Sequence, residues 1–90
     1  MERPETIQAY LDAVGEQIRW KRARPVVARE LEQHLTDQRD AFTAEGNDPE
    51  VAERMAVEEM GDPVSVGTAL DRVHRPRPQW GMLAAMAVSL

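Results

Sequence analysis

The chain has 90 residues, of which 42% are hydrophobic and 30% charged, so it is long enough for one small domain with a single core. It contains no cysteine, which excludes disulfides, thiolate metal sites and thiol nucleophiles. Sixteen acidic side chains against eleven basic ones give a net charge of −5, which argues against a general nucleic-acid binder.

The first predicted helix runs from about Thr6 to about Ala23. Its hydrophobic residues recur at steps of three and four, the period of a helix that buries one face: Ile7, Tyr10, Leu11, Val14 and Ile18. Thr6 can cap this helix, although Pro4 fits a first helical position equally well. Pro25 ends it, because the residue before a proline is driven out of the helical region.

A second helix is predicted from Pro25 to about Ala44, closed by Gly46. Its apolar face comprises Val27, Leu31, Leu35 and Phe42, with His34 and Gln38 on the same stripe. Asp48 and Pro49 then form a cap and a first position for a third helix, which ends at about Met60. Its predicted stripe is Val51, Met55, Ala56 and Met60.

Gly61, Asp62 and Pro63 repeat the same stop and start signals, so a fourth helix is predicted from Pro63 to near His74. The sequence contains no strand alternation. It therefore predicts an all-α domain over residues 1–75, a small bundle of four helices with short Gly/Asp/Pro turns. The predicted core is Ile7, Leu11, Val14, Ile18, Val27, Leu31, Leu35, Phe42, Met55, Met60, Val66 and Leu70.

Charge is spread unevenly along the chain. Residues 25–71 contain three basic and twelve acidic side chains, whereas residues 72–90 contain three arginines and no acid. The arginines are Arg72, Arg75 and Arg77, and the uncharged run that starts at Trp80 follows them. We interpret residues 76–79 as a stiff Pro/Arg linker and residues 80–90 as the start of a truncated transmembrane helix, with the arginines on its cytoplasmic side. No secretory signal precedes them.

The sequence contains few residues in arrangements suited to catalysis, and we expect neither an active site nor a cofactor. Its only serines, Ser65 and Ser89, lie outside any glycine-rich elbow. Glu58 and Glu59 are helical neighbours and point in different directions. A helix-turn-helix built on the last two helices would bring the acidic side chains of Asp62 and Asp71 toward phosphates, so no nucleic-acid partner is expected.

Two groups of residues remain as candidates for sensing or interaction. One helix face carries Glu30, His34, Asp37 and Gln38 at spacings that could bind a metal with help from another helix, but a partly buried, hydrogen-bonded histidine is the simpler interpretation. Trp20 lies opposite the apolar stripe, beside cations. It fits a membrane-interface anchor or a partner-binding spot, or else covers the corner between the first two helices. In a simple up-down bundle, Trp20 and the end of the fourth helix would lie at opposite ends.

The chain resembles the permease-prefix or HAAS-type domains, small cytosolic helical modules at the front of bacterial membrane proteins. The resemblance covers residues 7–74 and rests on Tyr10-Leu11, Val14, Ile18-Arg19, Arg29-Glu30-Leu31, His34-Leu35, Asp37, Glu45-Gly46, Ala52, Met60-Gly61-Asp62-Pro63 and Leu70. The segment from His74 to Gly81 resembles the junction before cell-division or rod-shape proteins of the FtsW/RodA/SpoVE type.

This resemblance implies a regulatory or protein-interaction domain on the cytoplasmic side of the cell membrane, with an unidentified protein partner or a second copy of itself. It carries over no catalytic residue and no ligand for His34. The alternatives are the prefix domain of a transport permease, a metal- or pH-sensing module that uses the His34 face, and a structural module for insertion or oligomerisation. Because anionic headgroups repel the acidic middle of the chain, we expect contacts with protein more than with lipid.

Overall fold

The computed structural model describes residues 3–74 and contains helices without strands in this range, which confirms the all-α class. The α-helices are α1 (Ile7–Gly15), α2 (Arg24–Ala44), α3 (Pro49–Met60) and α4 (Pro63–Val73), and a short 3₁₀ turn (Lys21–Ala23) precedes α2. The predicted linker and the uncharged run 80–90 lie outside the described residues.

Three predicted caps begin their helices as expected. The hydroxyl of Thr6 accepts a hydrogen bond from the Ala9 amide at 3.1 Å, which decides between Thr6 and Pro4 at the start of α1. Asp48 caps α3, and Asp62 caps α4 by accepting from the Ser65 amide at 2.9 Å. Each cap satisfies an amide that has no partner inside its own helix.

The predicted end of the first helix was wrong. α1 stops at Gly15, and the 3₁₀ turn near Ala23 is a separate element. The Gln17 amide donates to Val14 O and the Ile18 amide to Gly15 O, so the chain tightens into turns after Gly15. Ile18 is nevertheless fully buried. Ile18 is buried at the position that a continued helix would also bury. The spacing of apolar residues therefore predicted a first helix longer than α1.

The core lies between the four helices. Its buried members are Ile7, Tyr10, Leu11, Val14, Ile18, Ala23, Val27, Leu35, Ala56 and Val57, and Leu31, Phe42, Met60, Val66 and Leu70 pack against it partly buried. Met55 was predicted here but is half-buried outside this cluster. α3 instead buries Ala52, Ala56 and Val57, and these small residues let it pack along α2 over its most extensive interface.

α1 and α4 pack side by side in parallel. Near the start of both helices, Tyr10 and Asp62 line one cavity. Farther along, Gly67 approaches Val14 so closely that a Cβ atom on Gly67 would lie 2.9 Å from Val14 O. Past the end of α1, the Arg19 amide donates to the carboxylate of Asp71 at 2.8 Å. The end of the α1 segment and the end of α4 therefore lie at the same end of the domain, unlike in a simple up-down bundle.

The turn between α3 and α4 makes this arrangement possible. Gly61 has φ +99° and ψ −170°, a combination open to glycine and strained for other residues. Its φ is positive, but its ψ is extended rather than left-handed helical. Only Gly61 and the cap Asp62 separate the two helices, and α4 then packs on α1 rather than along α3.

Candidate functional site

The segment between α1 and α2 is fixed to the end of α4 by a carboxylate. Asp71 is 5% exposed and accepts hydrogen bonds from the Arg19 amide at 2.8 Å and from Arg19 Nε at 2.9 Å. A third bond, from Arg24 Nε to Ile18 O at 2.8 Å, fixes the same segment to the start of α2. Charged partners make such bonds short and strong. The chain after α1 is therefore held at defined places on both α2 and α4.

Trp20 lies on this held segment. Its carbonyl accepts a bond from the amide of Ala23, which closes the 3₁₀ turn, and Ala23 itself is buried. Trp20 as a whole residue is 38% exposed. The structure thus places Trp20 at the predicted corner between the first two helices but leaves it partly accessible from outside.

Arg72 is the one predicted membrane-proximal residue within the part of the chain that the structure describes, and it is exposed. It lines a shallow depression of about 440 Å³ together with Glu16, Gln17, Arg19, Thr68 and Asp71. Arg75, Arg77 and Trp80 lie outside the described residues. The structure therefore brings Arg72 close to the Trp20 segment, although 52 positions separate Trp20 from Arg72 in the sequence.

The predicted sensing face on α2 does not form a cluster. Glu30, His34 and Asp37 are all exposed, and the His34 side chain makes no hydrogen bond within residues 3–74, so the interpretation as a partly buried, bonded histidine was wrong. His34 lies beside a groove of about 160 Å³ between α2 and α3, where Gln38 donates to Glu59 at 2.9 Å. Among the described residues, no group of three acidic or histidine side chains could hold a metal ion.

A cavity of about 310 Å³ lies between the chain before α1 and the α3–α4 turn, and Tyr10, Arg3, Glu58 and Asp62 are among its lining residues. The Tyr10 hydroxyl is buried without a hydrogen-bond partner among residues 3–74. Burial, and secondly the nearby Asp62 carboxylate, raise the pKa of Tyr10 to about 12. The phenol is therefore neutral across the physiological range.

The residues that join α1 to α4 were not predicted from the sequence. Asp71 follows Leu70 on the face of α4 that packs on α1, so a carboxylate at the edge of an apolar stripe was the available signal. Its partner Arg19 lies where a continuous helix was predicted. Gly67 carried no signal, because a glycine within a helical pattern has several explanations.

Comparison with known proteins adds no relative: the chain matches no protein-family model, no curated protein and no solved structure. None of the helices within residues 3–74 combines the length and the apolar character needed to cross a membrane.

Proposed function

We propose that this chain is a cytosolic regulatory or protein-interaction domain at the N-terminus of a bacterial integral membrane protein, of the cell-division or cell-shape type. The observation that carries the proposal is the order of charges after the helical domain. Arg72, Arg75 and Arg77 follow one another without an acidic residue, and residues 80–90 are uncharged. Such a sequence of cations and apolar residues is typical of the cytoplasmic side of a membrane span.

The fold supports the same proposal in two ways. α4 ends at Val73, directly before the arginine-rich residues, so the helical domain and the proposed membrane segment are separated only by a short linker. The domain also has a closed core and a surface in which charged side chains predominate. A charged surface of this kind suits recognition of a protein partner of complementary charge.

Topology can be tested in intact cells with one introduced thiol. The chain has no cysteine, so Glu45→Cys provides a single label site, and Glu45 is exposed at the end of α2. We expect a membrane-impermeant maleimide to label this position in lysed cells and not in intact ones. Labelling from outside would contradict the cytosolic placement.

Deletion of residues 1–74 from the intact membrane protein tests the regulatory role. If the domain regulates the protein or recruits a partner, the deletion changes activity or partner recovery at unchanged membrane abundance. A loss of membrane abundance alone would favour a structural module that assists insertion. A transport defect, rather than a defect in cell shape, would favour the transport-permease alternative.

A further inference from the structure

The parallel packing of α1 and α4 places an aromatic residue and several cations at one end of the domain. The bonds from Arg19 to Asp71 bring the turn after α1 against the end of α4. We call this region the basic end and define it by Arg19, Trp20, Lys21, Arg22, Arg72 and Val73.

The basic end carries exposed positive charge that its own carboxylates do not cancel. Its four cationic side chains are all on exposed residues, and the Arg19 side chain remains 70% accessible while bound to Asp71. Two acids lie beside them: Asp71, which is buried against Arg19, and Glu16, which lines the same depression. Lys21 and Arg22 make no ion pair within residues 3–74.

Two apolar residues adjoin these cations in the sequence: Trp20 precedes Lys21, and Val73 follows Arg72. Trp20 is 38% exposed and Val73 is 66% exposed. An indole beside cations is the composition found where proteins meet the headgroup layer of a membrane, because the ring is stable at the boundary and the cations attract anionic lipids.

The rest of the domain restricts how it can approach such a surface. Residues 25–71 carry three basic and twelve acidic side chains, and we call them the acidic body of the domain. A negatively charged membrane repels most of this acidic body. The basic end is also where α4 leads into Arg75 and Arg77, which extend the same sign of charge along the sequence. An anionic surface therefore attracts the basic end and repels the rest of the domain.

We propose that the basic end docks on anionic phospholipid headgroups, with Trp20 at the interface and the acidic body turned away from the membrane. This inference rests on the proposed function, because it specifies how a membrane-tethered domain is oriented. The expected contacts with a protein partner then fall on the acidic body.

The test uses the 90-residue chain with Trp80→Phe, which leaves Trp20 as the single tryptophan. Vesicles of phosphatidylcholine alone are compared with vesicles of phosphatidylcholine and phosphatidylglycerol, and the emission of Trp20 is followed during titration. We expect a blue shift with the anionic vesicles, weakened by added salt. Lys21→Gln with Arg22→Gln should raise the apparent dissociation constant about tenfold or more.

The matched control is Arg39→Gln with Arg54→Gln, which makes the same change in net charge on α2 and α3. It should change the dissociation constant about twofold or less, since neither residue lies at the basic end. Circular dichroism of both double variants confirms that the helices are intact.

Equal losses in the two double variants, an equal blue shift with neutral vesicles, or no shift with anionic ones would overturn the inference. An equal response to soluble heparin would also overturn it, because the basic end would then select polyanions in general. The vesicle experiment and the labelling experiment can fail independently, so failure of the docking is distinguishable from failure of the proposed function. If the thiol introduced by Glu45→Cys is protected in intact cells but Lys21→Gln with Arg22→Gln weakens binding to anionic vesicles no more than the control double variant does, the docking alone is rejected. Labelling of that thiol from outside rejects the cytosolic placement.

Discussion

Gly67 lies where α4 packs closely against the end of α1. A Cβ atom added there would come within 2.8 Å of the Gln17 side chain and 2.9 Å of the Val14 carbonyl oxygen. The Gln17 side chain can move, but the carbonyl belongs to the backbone near the end of α1. Glycine at this position therefore sets the distance between the two helices.

Gly67→Ala should lower the free energy of unfolding by about 1–3 kcal/mol, because α4 must shift away from Val14 to make room. The matched control is Gly15→Ala. Gly15 has open space around it and a negative φ, so alanine should be neutral or stabilising by up to about 1 kcal/mol. Chemical denaturation of both variants checks the contrast, and equal midpoints would show that α1 and α4 do not approach as closely as described.

Tyr10 is the only tyrosine of the chain, so its ionisation can be followed without interference from another phenol. Its pKa is raised to about 12 by burial and by Asp62. The corresponding stability is fully present below the unfolded-state pKa of about 10 and is lost as the pH rises toward 12. Absorbance near 295 nm should therefore show tyrosinate only in strongly alkaline solution, together with loss of helical signal. A midpoint near 10 in a folded protein would contradict the burial of this ring.

Tyr10→Phe gives a second measure of the same site. Because the hydroxyl has no hydrogen-bond partner among the described residues, its removal should leave the stability unchanged or raise it slightly. Chemical denaturation measures the difference. A clear loss of stability would mean that the hydroxyl has a partner in solution.

At the scale of the helices, the start signals were more informative than the periodicity. The Asp-Pro pairs at positions 48–49 and 62–63 place the starts of α3 and α4 correctly, because an acidic cap and a proline each satisfy a local requirement of the helix N-terminus. The end of α1 could not be found in this way. Ile18 is buried by contacts from distant elements, and burial alone does not report backbone conformation.

The cap of α4 gives a pH-dependent prediction. Hydrogen bonds from the Ser65 amide and hydroxyl lower the pKa of Asp62 below its ordinary value. Its contribution to stability is thus present above the unfolded-state pKa and is lost as the pH falls through the lower folded-state value. We expect Asp62→Ala to destabilise the domain at neutral pH, and the difference from wild type to shrink in acid. Denaturation curves at several pH values measure this, and a difference independent of pH would argue against an ionised cap.

At the scale of the whole molecule, the sequence predicts how many helices there are but not how they are arranged. Nothing local indicates that α1 and α4 run in parallel, because that follows from the α3–α4 turn and from the bonds between Arg19 and Asp71. For the same reason, the sequence could suggest Trp20 and Arg72 as separate candidates but could not show that they share one end of the domain.

The two partners in this contact should respond differently to mutation. Asp71→Ala removes the acceptor for both the amide and the side chain of Arg19, and should cost about 1.5–3 kcal/mol or more, because Asp71 is nearly buried. Arg19→Ala keeps the bond from the backbone amide and removes a side chain that is 70% exposed, so it should cost about 1 kcal/mol or less. Chemical denaturation ranks the two variants. The reverse order would show that the guanidinium, rather than the amide, holds this segment.

The pairing of Arg19 with Asp71, 52 positions later, also bears on how the domain is made. A helix of nine residues such as α1 is too short to be stable by itself, and its close partner α4 is the last of the four described α-helices to be synthesised. α2 and α3, which are neighbours in sequence and share the largest interface, can pair earlier. On the ribosome, we therefore expect α1 to be the last of these four helices to pack into the domain. If the residues after α4 enter a membrane, folding and insertion overlap in time.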